Sequence, residues 1–150
     1  MASTQKKYIG LLGGSFDPAH KGHLSISKIA IKKLKLKKVY WVITKKNPFK
    51  NKTFYSLEER IKYAKKISRT QKKIQTLYLD KIIKSSRIID VLNYFIKKKN
   101  IHNIYFIIGS DNLIRFHKWK SWKKIVKLVK LIVFSRRGYD RKGKKSMVVK

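Results

Sequence analysis

The chain reads as an α/β domain, a mainly parallel sheet flanked by helices. Three observations predict it. Short β-branched and aromatic runs alternate with segments whose apolar residues recur at helical spacing, the pattern of successive βαβ units. A glycine-rich turn, Gly13-Gly14-Ser15, follows the first apolar run directly, and a second, Gly109-Ser110-Asp111, follows the fourth. Ligands of open parallel sheets lie beyond the C-terminal strand ends, so two polar loops on one sheet edge imply a shared cleft.

Tyr8 to Leu12 is a buried first strand, with the glycine motif as a loop after it. From about Gly22, Leu24, Ile26, Ile29, Ala30 and Leu34 recur near helical spacing with lysines opposite. Val39 to Ile43 is β-branched and aromatic, a second strand. The polar stretch from Lys45 to Tyr55 holds Pro48 and reads as a loop. Ser56-Leu57-Glu58-Glu59 then has the S-x-x-E form of a capping box and starts a helix to about Ser68. Ile74 to Leu79 reads as a strand, and Ser86 to Lys98 as a helix through Ile88, Ile89, Leu92 and Phe95. Ile104 to Ile108 is the clearest buried strand. Short helices follow at 113–116 and 122–126, and Leu128 to Phe134 is the last strand. Residues 1–135 thus form one α/β domain and 136–150 a basic C-terminal tail.

The composition narrows the function classes. A chain of 150 residues with 43% hydrophobic content suits one domain with a real core. No apolar run is long enough to span a bilayer, and the N-terminus lacks a signal-peptide core, so no membrane partner is expected. There is no cysteine, which excludes a disulfide framework and thiolate metal ligands; a cytoplasmic location is the expectation. Four histidines and scattered acids do not form a metal-ligand set. The net charge of +33 would attract any polyanion. Lysine is nevertheless spread over the whole chain beside abundant Ile, Asn and Tyr, as AT-rich coding produces. No basic face interleaved with stacking aromatics stands out, so no specific nucleic-acid partner is expected. The few acids are more telling: Asp17 and Asp111 lie at the two glycine turns, whereas Asp80 and Asp140 show no role.

Gly13-Gly14-Ser15-Phe16-Asp17-Pro18-Ala19-His20-Lys21-Gly22-His23 carries the chemistry. Small residues let backbone N–H groups approach a polyphosphate, and His20 and His23, at i and i+3, can donate hydrogen bonds from one side of one turn. A loop bearing two solvated histidines would not need the strand, the Gly pair, the F-D-P turn and the H-x-G-H spacing together. The stretch is neither G-x-G-x-x-G nor G-x-x-x-x-G-K-[ST], which argues against a dinucleotide fingerprint and a P-loop hydrolase. Ser15 sits in a phosphate-type turn rather than a nucleophile elbow.

These residues resemble the signature of the HxGH nucleotidyltransferase superfamily. Two later segments narrow the resemblance. Phe106-Ile107-Ile108-Gly109-Ser110-Asp111-Asn112-Leu113, with Phe116, Trp119, Trp122 and Ile125, is similar to the F-I-I-G-x-D-x-L…F…W…I segment of bacterial nicotinate-nucleotide adenylyltransferases. Leu131 to Tyr139 is similar to that family's L-I-V-x-x-R-P-G-Y segment, and the three segments keep the family's order over roughly 7–140. The resemblance implies a Rossmann-like fold of the HxGH type and adenylyl transfer from ATP to nicotinate mononucleotide, giving deamido-NAD and pyrophosphate. Mg2+ would ride on the triphosphate rather than occupy a protein cage.

The resemblance also implies roles. His20 and His23 would bind the ATP phosphates and stabilise the leaving pyrophosphate. Gly13, Gly14, Ser15 and Phe16 would give backbone contacts to ATP, though Phe16 can equally be core. Asp17 fixes the turn rather than acting as a base, because the attacking phosphate is already ionised. Lys50 falls at the lysine of a P-P-H-K loop and would contact phosphate; a solvated lysine accounts for it equally. Gly109 and Asp111 would receive the adenosine, and Arg136 would lie near adenine or phosphate. Trp119 would stack on the pyridine ring, while Trp122 is also explained as core. His102 and His117 lack motif support and read as surface residues.

Two departures stand out. The family's Y-T-x-x-T-L segment is Arg87-Ile88-Ile89-Asp90-Val91-Leu92 here, and Ile88 at the nicotinate end cannot hydrogen-bond. Lys120 or Arg87 could instead supply charge to a carboxylate. A late I-S-[AST]-[ST]-x-[IL]-R segment is missing before Lys150, as expected of a truncated chain, of one whose basic tail substitutes for it, or of a weakened enzyme. The alternatives are another HxGH transferase, such as a phosphopantetheine adenylyltransferase, or a weakly active basic remnant that binds nucleotides or nucleic acid. The oligomeric state is not legible.

Overall fold

The computed structural model describes residues 7–45 and 53–134, with the backbone alone at Asp111. Five strands form one sheet: β1 (Ile9–Gly14), β2 (Lys38–Ile43), β3 (Ile74–Leu77), β4 (Ile104–Gly109) and β5 (Lys130–Phe134). Their order is β3-β2-β1-β4-β5 and every pairing is parallel. Parallel sheets are covered on both faces, which is why β1, β2 and β4 read as nearly unbroken apolar runs.

Alternate strand residues feed two cores. On one face Leu12, Trp41, Ile43 and Ile107 pack with Ala30 and Ile31 of α1 (Lys21–Leu34) and Ala64 of α2 (Leu57–Ser68). On the other, Leu11, Val42 and Phe106 pack with residues of three later helical segments. These are Ile89 and Leu92 of α4 (Ile88–Asn93), Leu113 of α5 (Ser110–Arg115) and Ile125 of α6 (Trp122–Leu128). The expected helix over 57–68 begins as its sequence dictates: Ser56 Oγ accepts the Glu59 N–H at 3.1 Å and donates to the Glu59 carboxylate at 3.0 Å.

Four boundaries differ from the sequence reading. Gly13 and Gly14 are not loop residues; they extend β1 and pair with Val42 and Ile43. The strand expected over 74–79 stops at Leu77, because Asp80 opens a one-turn helix, α3 (Asp80–Ile83). The helix expected over 86–98 is α4 followed by a π-helical turn, Tyr94–Lys98. There the Lys99 N–H reaches back five residues to the Tyr94 carbonyl. Leu128 belongs to α6 rather than to β5, since the Val129 N–H still bonds the Ile125 carbonyl.

The strand order switches direction between β1 and β4, and the register shows the consequence. β1 stays paired with β2 up to Gly14↔Ile43, but with β4 only up to Leu12↔Ile107. From Gly13 onward the sheet splits, leaving a crevice at its C-terminal edge.

Candidate active site

A cleft of about 810 Å³ opens at that split. Gly13, Gly14 and Ser15 line one side together with Thr44. Ser85, Ser86, Arg87 and Ile88 line the other, and Trp119 and Lys120 complete it. The floor depends on a missing side chain: a Cβ on Gly13 would stand 2.9 Å from Ile88 Cδ1. Ile88 therefore packs directly onto the β1 backbone and shapes the cleft instead of offering a hydrogen bond. Lys84, Arg87, Lys118 and Lys120 bring four cations to this lining, against Asp90 as the acid, whose carboxylate accepts from Ser85 Oγ.

The two motif histidines do not line this cleft. They form an adjoining cluster at the start of α1. His20 is the N-cap, and its Nδ1 accepts the Gly22 N–H at 3.0 Å. His23 Nδ1 accepts the His20 N–H at 3.1 Å, so each histidine caps the other's turn. With Nδ1 accepting on both rings, the proton of each neutral imidazole sits on Nε2, which becomes the donor. The ring centroids are 4.0 Å apart. The glycine of H-x-G-H follows from this geometry: a Cβ on Gly22 would lie 2.7 Å from the His20 ring.

Phe16 joins the cluster to the cleft. Its ring is buried, 4.6 Å from that of His23 and stacked on Trp41 at 5.3 Å. The sequence left Phe16 open between ligand contact and core; its ring is core, and its neighbour Ser15 lines the cleft. Its φ of 48° is left-handed, in a turn that continues through a cis Asp17-Pro18 bond. Behind it a hydrogen-bond chain ties α1 to the sheet. The Trp41 indole N–H donates to Ser27 Oγ, which donates to the His23 carbonyl, both at 2.8 Å. The Asp17 carboxylate accepts the Phe54 and Tyr55 N–H groups at 2.6 and 2.8 Å, so it clamps two loops and is committed to backbone.

The other expected site residues divide as follows. Ile88, Trp119 and Lys120 meet the glycine turn in the cleft. Trp119 also packs against Phe106 and Phe116, and its indole nitrogen is buried without a hydrogen-bond partner. Trp122 packs against the core, with its ring edge-on to Phe116. Gly109 ends β4 and caps α5 but does not line the cleft, and the Asp111 side chain, Lys50 and Arg136 lie outside the described residues. His117 is not a plain surface residue, because its Nδ1 is enclosed; His102 is exposed and pairs with Asn100.

Sequence reasoning missed Arg60 and the role of Asp80. Arg60, on α2, is only 2% exposed. Its guanidinium donates to the Ser15 and Thr44 carbonyls, both at 2.8 Å, and to the Lys45 carbonyl at 3.0 Å. Asp80 Oδ2 accepts the Lys45 N–H at 2.8 Å and Ser86 Oγ–H at 2.7 Å. Nothing in a helical R-x-x-x-A pattern announces such contacts, which join residues distant in sequence. The Tyr78 phenol feels both charges: desolvation raises its pKa first, Asp80 adds to the rise and Arg60 opposes it. Among the described residues no group of three or more His, Asp or Glu could cage a metal, and no helix is long and apolar enough to cross a membrane.

The sequence pattern of the cytidylyltransferase-like family matches residues 11–149. A Pelagibacter ubique protein described as "Probable nicotinate-nucleotide adenylyltransferase" is 52% identical over 145 residues, covering 97% of this chain and 80% of that protein. Relatives of the same description from Methylorubrum extorquens (strain PA1) and Bradyrhizobium sp. (strain ORS 278) are 35% and 37% identical. The matches cover 87% and 75% of this chain, and 71% and 58% of those relatives. In fold, the chain is similar to Plasmodium falciparum nicotinic acid mononucleotide adenylyltransferase complexed with NaAD. The TM-score is 0.74 at 21% identity, over 90% of this chain and 67% of that one. An open parallel sheet split at β1 and β4, a mutually capped histidine pair and these relatives agree: the chain belongs to the nicotinate-nucleotide adenylyltransferases of the cytidylyltransferase-like family.

Proposed function

We propose that this chain transfers the adenylyl group of ATP to nicotinate mononucleotide, giving deamido-NAD and pyrophosphate. The observation that carries the reading is the cleft at the β1/β4 split, with the glycine turn on one side and a cationic, tryptophan-bearing wall on the other. The acceptor phosphate attacks the α-phosphorus of ATP. A new P–O bond forms while the bond to the bridging oxygen breaks and pyrophosphate leaves. No covalent enzyme intermediate and no protein base are required, so positioning and charge neutralisation carry the catalysis.

In this reading His20 and His23 donate from Nε2 to phosphate oxygens, their orientation fixed by the Nδ1 contacts. Gly13, Gly14 and Ser15 offer close backbone approach. Gly109, Asp111, Lys50 and Arg136 keep their proposed roles toward ATP. Magnesium enters as Mg-ATP, part of the substrate. Trp119 presents a ring to the pyridine, and Arg87 and Lys120 supply the charge for the nicotinate carboxylate that Ile88 cannot. The reaction is proposed to run in the cytoplasm, in keeping with the cysteine-free composition.

Pyrophosphate release from Mg-ATP tests this, with nicotinate mononucleotide, nicotinamide mononucleotide and phosphopantetheine compared as acceptors. Release with the first alone is expected. Release with either of the others in its place would reassign the acceptor, and no release with any would overturn the reading.

A further inference from the structure

We infer that Arg60 and Asp80 are positioning residues that couple the two walls of the cleft through the single peptide segment at Lys45. The inference rests on the proposed reaction for its functional meaning, but its geometry stands alone. Ser15 and Thr44 belong to the glycine-turn wall, and Ser86 to Ile88 belong to the opposite wall. These walls come from different crossover connections and share no strand. Besides the packing of Ile88 on Gly13, a run of hydrogen bonds joins them. Arg60 holds the carbonyls of Ser15, Thr44 and Lys45, Asp80 holds the Lys45 N–H, and the same Asp80 oxygen holds the Ser86 hydroxyl. Lys45 is thus gripped at its carbonyl by the cation and at its N–H by the anion.

The physical argument is one of enforced order. Arg60 is buried, and a guanidinium in that position loses its hydration, so its donors need acceptors. Three backbone carbonyls serve its two terminal nitrogens, while Nε stays buried without a partner, and the planar fork fixes the angle between those carbonyls as an ammonium cannot. Thr44 adds its own tie, donating its N–H to the Gly14 carbonyl at 2.9 Å. On the other wall the Ser86 contact to Asp80 lies beside the parallel Ser85 contact to Asp90, and the Arg87 N–H closes onto Ser85 Oγ at 3.1 Å. The segment before α4 is therefore held by two carboxylates, one of which answers to the Arg60 side. Adenylyl transfer needs the attacking phosphate and the α-phosphorus at a fixed separation, and the spacing of these walls sets it.

The test uses amide hydrogen exchange together with steady-state kinetics on the full chain. Arg60→Lys keeps the charge and loses the fork. Exchange is expected to quicken at 13–15, at Lys45 and at 84–88, while β5 and α6 keep wild-type rates. Ser86→Ala, a milder change at the other end, is expected to quicken exchange at Lys45 as well as in its own loop, since coupling is reciprocal. If either variant loosens only its own wall, the coupling is overturned, whether or not the wild type turns over. If Arg60→Lys does not fold, Ser86→Ala alone decides. In the kinetics each single variant is expected to lose about tenfold in kcat/KM. The double variant is expected to lose little more than the worse single, and multiplicative losses would contradict a shared path. A wild type that releases no pyrophosphate would sink the proposed reaction and leave the exchange result to judge the coupling.

Discussion

The His20 ring lies over the Gly22 amide, with Nδ1 accepting its N–H at 3.0 Å and no room for a Cβ at position 22. Gly22→Ala should therefore move the ring while leaving the helix intact. Alanine is the better helix residue by roughly 0.5–1 kcal/mol, so stability should hold or rise. Pyrophosphate release should fall by about tenfold or more. A thermal melt beside the kinetics separates these effects; an active Gly22→Ala would show that the His20 orientation is unimportant.

Removing either imidazole should cost more than moving it. His20→Ala and His23→Ala are each expected to lower turnover by about 10²–10³-fold, the scale of a lost donor to developing charge. Nonspecific DNA binding through the lysines should be unaffected in both variants and should fall steeply with salt. Assaying both properties on one preparation shows whether the histidines serve the nucleotide or the charge field.

Ser27→Ala should destabilise the protein without touching the cleft. It would leave the buried Trp41 indole N–H without its acceptor and release the His23 carbonyl. An unsatisfied buried donor costs about 1–3 kcal/mol. For a chain of this size a melting temperature lower by about 2–4 °C per kcal/mol is expected. An unchanged melt would mean that the Trp41 donor finds another partner.

Gly13→Ala should drive a methyl group into Ile88, because the added Cβ would stand 2.9 Å from Ile88 Cδ1. A higher KM for nicotinate mononucleotide is expected. Ile88→Val removes that Cδ1 and should restore the KM in the double variant. Failure of this rescue would show that the two positions do not share the cleft floor.

Alkaline stability should depend on Tyr40. Its ring packs on Phe95, and burial raises the phenol pKa above its ordinary value. A raised pKa means that the folded state keeps the proton while the unfolded state gives it up. The contribution is complete below the unfolded value of about 10 and is lost as pH climbs past it. Tyr40→Phe should flatten the fall in melting temperature between about pH 9 and 11, measured against wild type at the same pH values.

The sequence by itself determined the strands of the sheet, the glycine pair that ends the first of them, the histidine spacing and the family. It could do so because these are local patterns: apolar period, capping residues, and small residues beside a spaced histidine pair. Ile88, Trp119 and Lys120 were reached only through resemblance, and the structure brings them to the same cleft as Gly13. Tertiary structure decided what no local pattern carries. That Gly13 and Gly14 remain in the strand depends on β2 lying alongside. That Asp80, silent in the sequence, fastens Lys45 to Ser86 depends on loops from different crossovers meeting. Arg60 reads as one more cation on a basic helix, and only folding places it against three carbonyls from two strand ends. Contacts between distant segments arise when the chain closes, and most polar groups deprived of water then bond whatever lies within reach.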